Sequence, residues 1–337
     1  MKHTKFDSYL KGDLAKGCQL CVKGQKMVLF VTGLCSRNCD FCPLSGLRKN
    51  QKVTYANERK IKKFKEIIEE VKNSNAKGCS LTGGDPLLKL SRTLSFAKKL
   101  KRYFGQNFHI HIYVSTKLVT EKKLKKLAEY VDEIRFHPDL EKNLSEEAEK
   151  INLAKKFWKK ENIGIELPIF PDKEKEILEI AKLTNQTISF LNLNELESGE
   201  FSEEKITRKY KINPDGYTIK NSISAGKKII KKLAKQFPKL NIHLCTARLK
   251  NWHQYRNRLK NYKISKYGKK TDEGTVIYFK TSMKNKKLVK DFVLDKKKKQ
   301  LILNPIEVSK LKSKIKIYRV EEYPTYDRDE AEIEEIK

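Results

Sequence analysis

The sequence lacks any apolar run long enough to span a bilayer, although it has 337 residues. Its first residues, MKHTKFDSYLKGDL, also lack the apolar core of a signal peptide. Seven cysteines in a chain without such a signal favour metal or redox chemistry over disulfides. We therefore expect a cytoplasmic protein that does not enter a membrane, with one large domain or two modest ones.

Acidic residues are scarce in one part of the chain. The net charge is +32 overall, and Ala225–Tyr318 holds 28 Lys and Arg against 5 Asp and Glu, a net charge of +23. A Lys-rich proteome with solvated helix faces would explain many lysines, but it would not explain an excess that lies mainly in one segment. We therefore expect a polyanionic partner for this segment, with nucleic acid favoured over a merely solvated surface.

Three of the cysteines lie in one short loop. Cys35, Cys39 and Cys42 follow the apolar run Met27–Val31 with C-x3-C-x2-C spacing, and Phe41 precedes the third. Three thiolates from one loop can hold three irons of a four-iron cluster and leave the fourth iron open. A structural zinc site would normally have a fourth ligand, so the spacing favours a cluster over a zinc loop or buried thiols.

A glycine-rich turn follows about forty residues after this loop. Gly83-Gly84-Asp85-Pro86 comes directly after a short predicted strand, in SLTGGDPLL. Adjacent glycines allow a backbone to approach a ligand closely, and proline fixes the turn that follows. On its own, this tetrapeptide is more typical of a surface turn than of a binding site.

Together the two motifs resemble the signatures of the radical S-adenosylmethionine (radical SAM) enzymes, over about residues 27–193. The family's first signature is C-x3-C-x-aromatic-C. The resemblance implies a [4Fe–4S] cluster on Cys35, Cys39 and Cys42, with S-adenosylmethionine (SAM) on the open iron. It also implies that Phe41 packs near the adenine of SAM.

The glycine-rich turn is similar to the family's GGEP-type motif, which implies that Gly83, Gly84, Asp85 and Pro86 contact the amino group of SAM. Asp85 stands where the family more often has Glu. Ser115 occupies the place of a polar SAM contact after a later strand. With the flanking GCQLC and the PTYDRDE tail, the whole chain resembles an archaeal radical SAM group that is described as similar to pyruvate formate-lyase activating enzymes.

Strand and helix patterns alternate along the first part of the chain. Short apolar runs predict strands, and apolar residues at helical spacing predict helices between them, beginning with Asn57–Asn75. The predicted strands are Met27–Thr32, Gly78–Leu81, His109–Val114, Glu133–Phe136, Ile163–Phe170 and Thr187–Leu193. We therefore predict an α/β fold, a partial (β/α)6-type TIM barrel in residues 27–226, with active-site groups on the loops that follow its strands.

The two flanking regions complete the predicted domain organisation. Residues 1–26 form an N-terminal extension that carries a CxxC motif. Residues 227–337 form a basic C-terminal region, in which helices precede a small β-rich accessory domain. The helix ARLKNWHQYRNRLKNY, which we call the basic helix, interleaves aromatic rings with arginines: Trp252, His253 and Tyr255 with Arg248, Arg256 and Arg258. Stacking and cations would suit a nucleic acid, and an amphipathic packing helix is the alternative.

The other cysteines leave a second metal site open. Cys18 and Cys21 form the CxxC pair, and Cys245 follows His243 at the end of a predicted strand. Such ligands could form a second zinc or iron–sulfur site, or the thiols could be incidental or a redox pair. Cys79 is expected in the core.

Three histidines are weaker candidates for the site. His109 and His111 share one face of a predicted strand, so they either line the barrel or make core hydrogen bonds, and the second is favoured. His137 follows the next predicted strand, Glu133–Phe136, and could face the substrate. Their alternation with apolar residues fits either interpretation.

The resemblance implies that the reduced cluster cleaves SAM to methionine and a 5′-deoxyadenosyl radical, which abstracts a substrate hydrogen. It also implies an external electron donor. Because of the basic segment, we favour RNA, and tRNA in particular, as the substrate. The alternatives are a radical SAM enzyme that activates or modifies a protein, and a non-enzymatic zinc protein that binds nucleic acid.

Overall fold

The computed structural model describes residues 1–200 and 202–336, and in these residues eleven strands form one sheet. The strands are β1 (Lys2–His3), β2 (Tyr9–Lys11), β3 (Lys26–Phe30), β4 (Tyr55–Ala56), β5 (Arg59–Lys60), β6 (Gly78–Thr82), β7 (His109–Ser115), β8 (Glu133–His137), β9 (Ile163–Ile169), β10 (Phe190–Glu195) and β11 (Asn241–Cys245). Their order is β1-β2-β11-β10-β9-β8-β7-β6-β3-β4-β5. The neighbours from β3 through β6 to β11 are parallel, which confirms the predicted α/β partial barrel.

Nine α-helices accompany this sheet in the described residues, and those that connect successive parallel strands cover its outer face. The nine helices are α1 (Lys16–Val22), α2 (Phe64–Asn73), α3 (Leu90–Phe104), α4 (Glu121–Ala128), α5 (Leu144–Asn152), α6 (Glu174–Thr184), α7 (Glu203–Thr207), α8 (Ser222–Gln236) and α9 (Tyr255–Asn261). Side-chain caps fix where two of them begin: Thr120 accepts from the Lys123 N–H, and Asn143 accepts from the Ser145 N–H. In the described residues, no helix combines the length and the apolar character that crossing a membrane requires.

The first predicted helix begins later than its apolar spacing indicates. Instead of continuing a helix from Asn57, the chain makes the β4–β5 hairpin there, and α2 starts at Phe64. Asn57 adopts a φ of 51°, and its Oδ1 accepts from the Val28 N–H at 3.0 Å. The asparagine therefore ties the hairpin to β3, and the local helical pattern yields to this tertiary contact.

The main sheet also extends beyond residue 226, where the predicted barrel segment ends. Strand β11 pairs in parallel with β10, and α8 provides the connection between them. On its other side, β11 pairs antiparallel with β2, which comes from the N-terminal extension. The two flanking regions thus contribute strands to the same sheet as the barrel, while the domain boundaries themselves stay a prediction.

The C-terminal part forms a second, antiparallel sheet, as the β-rich pattern predicts. Its strands are β12 (Lys269–Lys270), β13 (Val276–Ser282), β14 (Phe292–Asp295), β15 (Gln300–Leu303), β16 (Ile317–Glu322) and β17 (Glu330–Ile336). Helix α10 (Pro305–Leu311) covers one face, where Leu301, Val308 and Ile317 share a hydrophobic cluster. The accessory sheet therefore has its own small core.

The parallel strands alternate between an apolar face and a polar face. Ile110, Ile112 and Ile134 are fully buried in the core that the outer helices cover. Their neighbours His111 and Arg135 are equally buried but belong to the opposite face, inside the barrel. The interior of this barrel is therefore polar, although strands buried on both faces usually read as nearly continuous hydrophobic runs.

A buried ion-pair network crosses this interior. Arg135, whose side chain is 2% exposed, pairs with Glu133 at 2.5 Å and with Glu166 at 2.8 Å. Asn192 and Asn194 each donate to the Glu166 carboxylate at 3.0 Å. Burial raises the pKa of Glu166, but the Arg135 charge and the amide donors outweigh it and leave that pKa below its ordinary value.

Helix α1 closes the interior on the side of this network. The Gly17 N–H donates to Glu133 Oε2 at 2.9 Å, and Cys18 Sγ accepts from Arg135 at 3.4 Å. A Cβ on Gly17 would lie 2.3 Å from His111 Nδ1 and 2.6 Å from Arg135. The helix can approach so closely only because residue 17 is glycine.

Replacing Arg135 with Met should destabilise the protein by about 3–5 kcal/mol, because two carboxylates would lose their buried partner. Urea unfolding followed by circular dichroism measures this loss. Lys156→Met is the matched control, since Lys156 is 50% exposed and pairs with Glu121 on the surface, and it should cost at most about 1 kcal/mol. Equal losses of unfolding free energy in the two variants would show that the buried ion-pair network does not stabilise the barrel more than a surface pair does.

Candidate active site

The three-cysteine loop leaves the end of β3 and returns to the same point. The Gly33 N–H donates to the Gln51 carbonyl at 2.9 Å, and the Asn50 N–H donates to the Gly33 carbonyl at 3.0 Å. Cys35, Cys39 and Cys42 lie within this closed loop and are all partly exposed. The three thiols therefore lie on one short loop, whose two ends are joined by backbone hydrogen bonds.

Burial raises the pKa of the Cys35 and Cys39 thiols, that of Cys39 to about 11, and the Arg37 guanidinium opposes both shifts. Cys35 and Cys39 are therefore protonated at neutral pH without a metal, and ligation would release their protons. In residues 1–200 and 202–336, no group of three or more His, Cys, Asp or Glu side chains is already arranged as a metal site. The donor set suits three irons of a cluster, and binding would draw the thiols together.

The glycine-rich turn packs directly on the start of the cysteine loop. The Gly84 N–H donates to the Thr32 carbonyl at 2.7 Å, and the Asp85 N–H donates to the Leu34 carbonyl at 2.8 Å. A Cβ on Gly83 would lie 2.3 Å from the Thr32 oxygen, and a Cβ on Gly84 would lie 2.3 Å from the Leu34 oxygen. The two glycines therefore allow the turn to pack closely against the cysteine loop. The sequence pattern by itself suggests that they make room for a ligand, and that contact stays a prediction.

Asp85 joins three of the predicted site segments. Its carboxylate is fully buried and accepts from Ser115 Oγ at 2.6 Å and from Ser36 Oγ at 3.3 Å. It also accepts from the Leu87 N–H and so caps the short 3-10 helix Pro86–Lys89. Burial raises the pKa of Asp85, and these donors oppose the shift. Asp85, Pro86 and Ser115 are thus brought together beside the cysteine loop, and their contacts with SAM stay a prediction.

A cavity of about 790 Å³ opens next to this loop. Cys39 and Phe41 form one wall, and Thr116, His137 and Phe170 contribute from the ends of β7, β8 and β9. Active sites of such barrels lie at these carboxyl ends. Burial lowers the pKa of His137 to about 4, so its ring is neutral, and its Nδ1 lies 2.9 Å from the Glu166 carbonyl oxygen. His137 therefore lines the cavity without a charge.

Phe41 is packed on one side and open to the cavity on the other. Its ring centroid lies 5.0 Å from that of Phe170 and 5.7 Å from that of His137. It also contacts a hydrophobic cluster that includes Leu196 and Ile206, from the segment after β10. The ring thus has a fixed position at the cavity wall, and its packing on adenine stays a prediction.

The remaining cysteines do not form a ready-made second site. Cys18 accepts from Asn192 Nδ2 at 3.3 Å, and burial raises its pKa to about 12. Burial also raises the pKa of Cys21 and Cys245, and Cys245 packs against Val22 and other apolar side chains. Within the described residues, these three thiols are not arranged as a group of metal ligands either. A second metal therefore stays a prediction.

Arg135 and Glu166, which form an ion pair inside the barrel, do not appear among the sequence candidates. The sequence signal that could have found them is a charged residue inside an otherwise apolar strand, in EIRFH and IGIELPI.

The predicted histidines His109 and His111 face the barrel interior, and His109 Nδ1 contacts Lys26 Nζ at 2.6 Å. Neither ring nitrogen of His111 has a hydrogen-bond partner within residues 1–200 and 202–336. Core hydrogen bonding thus describes His109 but not His111.

Comparison with known proteins identifies the family. The chain belongs to the radical SAM superfamily. The model of that superfamily matches residues 29–183. The chain is also 40% identical over 273 residues to a Methanocaldococcus jannaschii protein named "Putative glycyl-radical enzyme activating enzyme". The matched region covers 77% of this chain and 72% of that protein. Radical SAM enzymes use a [4Fe–4S] cluster and SAM, so the two predicted cofactors are confirmed.

Two solved structures are more distantly similar. Methylornithine synthase has a TM-score of 0.44 and 17% identity, covering 64% of this chain and 63% of its own. A radical S-adenosylmethionine methyltransferase from Kitasatospora setae has a TM-score of 0.38 and 9% identity, covering 62% of this chain and 44% of its own. The chain thus spans less than two thirds of either structure.

Gly84→Ala should reduce the iron that the reconstituted radical SAM protein holds, because the new Cβ would push the Leu34 backbone and displace the cysteine loop. Overpacking of this kind costs about 1–3 kcal/mol. Gly105→Ala is the matched control: a Cβ there meets nothing within 4 Å, but its φ of 85° is strained for alanine, at a cost of roughly 1–3 kcal/mol. Iron per chain and thermal unfolding are measured together. Full iron content in Gly84→Ala would show that the loop does not depend on this contact.

Metal analysis tests the second site. A variant with Cys35, Cys39 and Cys42 all replaced by Ala is purified without chelator and assayed for zinc and iron. Residual metal that is lost on adding Cys18→Ser would support a site on the CxxC pair. A metal-free triple variant would exclude that site, and the CxxC cysteines would then be core thiols.

Proposed function

We propose that this radical SAM enzyme acts on a protein and generates a radical on a glycine of its substrate. The observation that carries this proposal is the 40% identity to a relative named for glycyl-radical enzyme activation. It favours the protein-activating alternative over RNA modification. The non-enzymatic zinc alternative has no support, since the family assignment is that of an enzyme.

In this proposal, Cys35, Cys39 and Cys42 hold the cluster at the wall of the main cavity. When bound, the reduced cluster and SAM together supply a 5′-deoxyadenosyl radical that removes one hydrogen atom from the substrate. Asp85 positions Ser115 and the cysteine loop, and Phe41 gives the cavity an aromatic wall. These residues orient the reactants and shield them from water, so an acid–base pair is not required.

The charge of the main cavity supports a protein substrate. Among the described residues that line it are seven Lys and Arg and five Asp and Glu, a nearly balanced set. None of these described residues belongs to the basic segment Ala225–Tyr318. An RNA substrate would be expected to need phosphate contacts close to the reacting nucleotide. A loop of protein can enter a cavity of this size and polarity without them.

The basic helix also has other partners in the structure. Its N-terminal half is a π-helix, Leu249–Gln254, and continues into α9. Arg248 pairs with Asp7 at 2.8 Å, Arg256 pairs with Glu273, and Arg258 pairs with Glu58. The Arg256 guanidinium lies 3.5 Å from the ring centroid of Trp252. These contacts favour the packing-helix alternative, because cations that are paired within the chain are less available to phosphates.

Deuterium transfer tests the proposal. A glycyl-radical enzyme is produced with α-dideuterated glycine and incubated anaerobically with the reconstituted chain, SAM and dithionite. We expect deuterium in 5′-deoxyadenosine and a glycyl radical detected by electron paramagnetic resonance. The variant with Cys35, Cys39 and Cys42 replaced by Ala should produce neither.

The competing RNA hypothesis is tested in the same reaction. Bulk tRNA replaces the glycyl-radical enzyme, and 5′-deoxyadenosine and the masses of the digested nucleosides are measured. If tRNA stimulates 5′-deoxyadenosine formation and gains a modification while the glycyl-radical enzyme stays unlabelled, the protein-activating proposal is wrong. SAM cleavage that persists in the triple cysteine variant would instead contradict the location of the cluster.

A further inference from the structure

A second, smaller opening of about 260 Å³ lies beside the base of the cysteine loop. Its cationic lining residues, which we call the basic patch, are Lys52, Lys60, Lys62, Lys63 and Arg92. Of the described residues that line this opening, none is acidic, in contrast to the nearly balanced main cavity. The patch therefore presents one sign of charge.

Hydrogen bonds connect the basic patch to the cysteine loop. Arg92 donates to the Val31 carbonyl at 3.2 Å and to Thr54 Oγ1 at 3.4 Å, and Thr54 Oγ1 donates to the same carbonyl at 3.0 Å. Val31 precedes Cys35 by four residues, so their Cα atoms are at most about 14 Å apart even in a fully extended chain. The patch thus lies close to the segment that holds the cluster ligands.

The four lysines of the basic patch are exposed and free to meet a partner. Within residues 1–200 and 202–336, their ammonium groups form no ion pair. The neighbouring Glu66 carboxylate accepts from the Lys62 and Lys63 backbone N–H groups at 2.6 and 2.8 Å, and it also faces Arg59. The carboxylate is therefore engaged mainly by backbone donors, and the single negative charge that it places near Lys62 leaves the four-lysine patch net positive.

An aromatic pair adds apolar surface to the same opening. Phe64 and Phe96 both line it, and their rings are stacked with centroids 6.3 Å apart. Both side chains are partly exposed. Protein interfaces commonly combine an aromatic centre with a polar or charged rim. The composition of the opening therefore fits a protein surface of opposite charge.

We propose that the basic patch is the docking surface for an acidic electron-transfer protein that reduces the cluster. Radical SAM enzymes need an electron donor. The main cavity and the patch have no described lining residue in common, so a donor can reach the cysteine loop while a substrate fills the cavity. The proposal rests on the cluster position proposed above and not on the identity of the substrate.

The test measures the rate of cluster reduction, without SAM or substrate. An acidic two-cluster ferredoxin in its reduced form is mixed by stopped flow with the reconstituted chain, from low to high salt. The second-order rate constant should fall steeply as salt rises, because salt screens the attraction. Replacing Lys52, Lys60, Lys62 and Lys63 with Glu should lower the low-salt rate roughly tenfold or more and flatten its salt dependence. Arg92 is kept, since it holds the Val31 carbonyl.

A matched control carries the same change of charge elsewhere. Lys284, Lys286, Lys287 and Lys290 are equally exposed, lie in the C-terminal sheet region, and are also replaced with Glu. This control should be reduced at nearly the wild-type rate. Photoreduced deazariboflavin, a small reductant, should reduce all three proteins alike and so show that their clusters are intact. Wild-type rates with ferredoxin in the patch variant, or equal losses in both variants, would overturn the proposal.

Discussion

The candidate active site depends on the close approach of two loops that lie about forty residues apart in the sequence. Because Gly83 and Gly84 have no Cβ, their backbone can lie against Thr32 and Leu34. The Gly84 and Asp85 N–H groups then donate to the Thr32 and Leu34 carbonyls. Those bonds fix where the cysteine loop leaves β3. Asp85 then extends the same contact to Ser36 and Ser115. A shift of this one contact would change the position of every predicted cofactor residue together.

The polar interior imposes a second constraint. A barrel that uses its inner face for chemistry cannot fill that face with aliphatic side chains, so its charges must be paired or hydrogen-bonded. Arg135 and Glu166 meet this need within the strands, and α1 brings the Gly17 N–H and Cys18 into the same network. The N-terminal extension is thus part of the barrel's electrostatic balance. Cys18 of the CxxC pair has this packing role, because a small thiol fits where α1 meets the strands.

Sequence reasoning succeeded where the information is local. The cysteine spacing and the strand before it lie within one short segment, and the period of the strands predicted the α/β partial barrel. Arg135 and Glu166 were missed because a charged residue in a strand has no meaning until its partner on another strand is known. For the same reason, the pattern could not show that a Cβ on Gly84 would meet Leu34. The predicted contact of Gly84 with SAM stays a prediction. Helix Asn57–Asn75 was predicted too long because the contact of Asn57 with Val28 is tertiary.

The excess of positive charge has different meanings in different parts of the chain. In the basic helix, arginines pair with Asp7, Glu58 and Glu273, so they join the N-terminal extension, the β4–β5 hairpin region and the start of the accessory sheet. Around the main cavity, cations are nearly matched by carboxylates. The lysines of the basic patch are unmatched, and they lie close to the loop that must receive electrons. The net charge of a segment therefore does not locate a partner, because ion pairs within the chain remove much of the attraction that the number of cations implies. Unpaired charge beside a functional group indicates a partner site better than the net charge does.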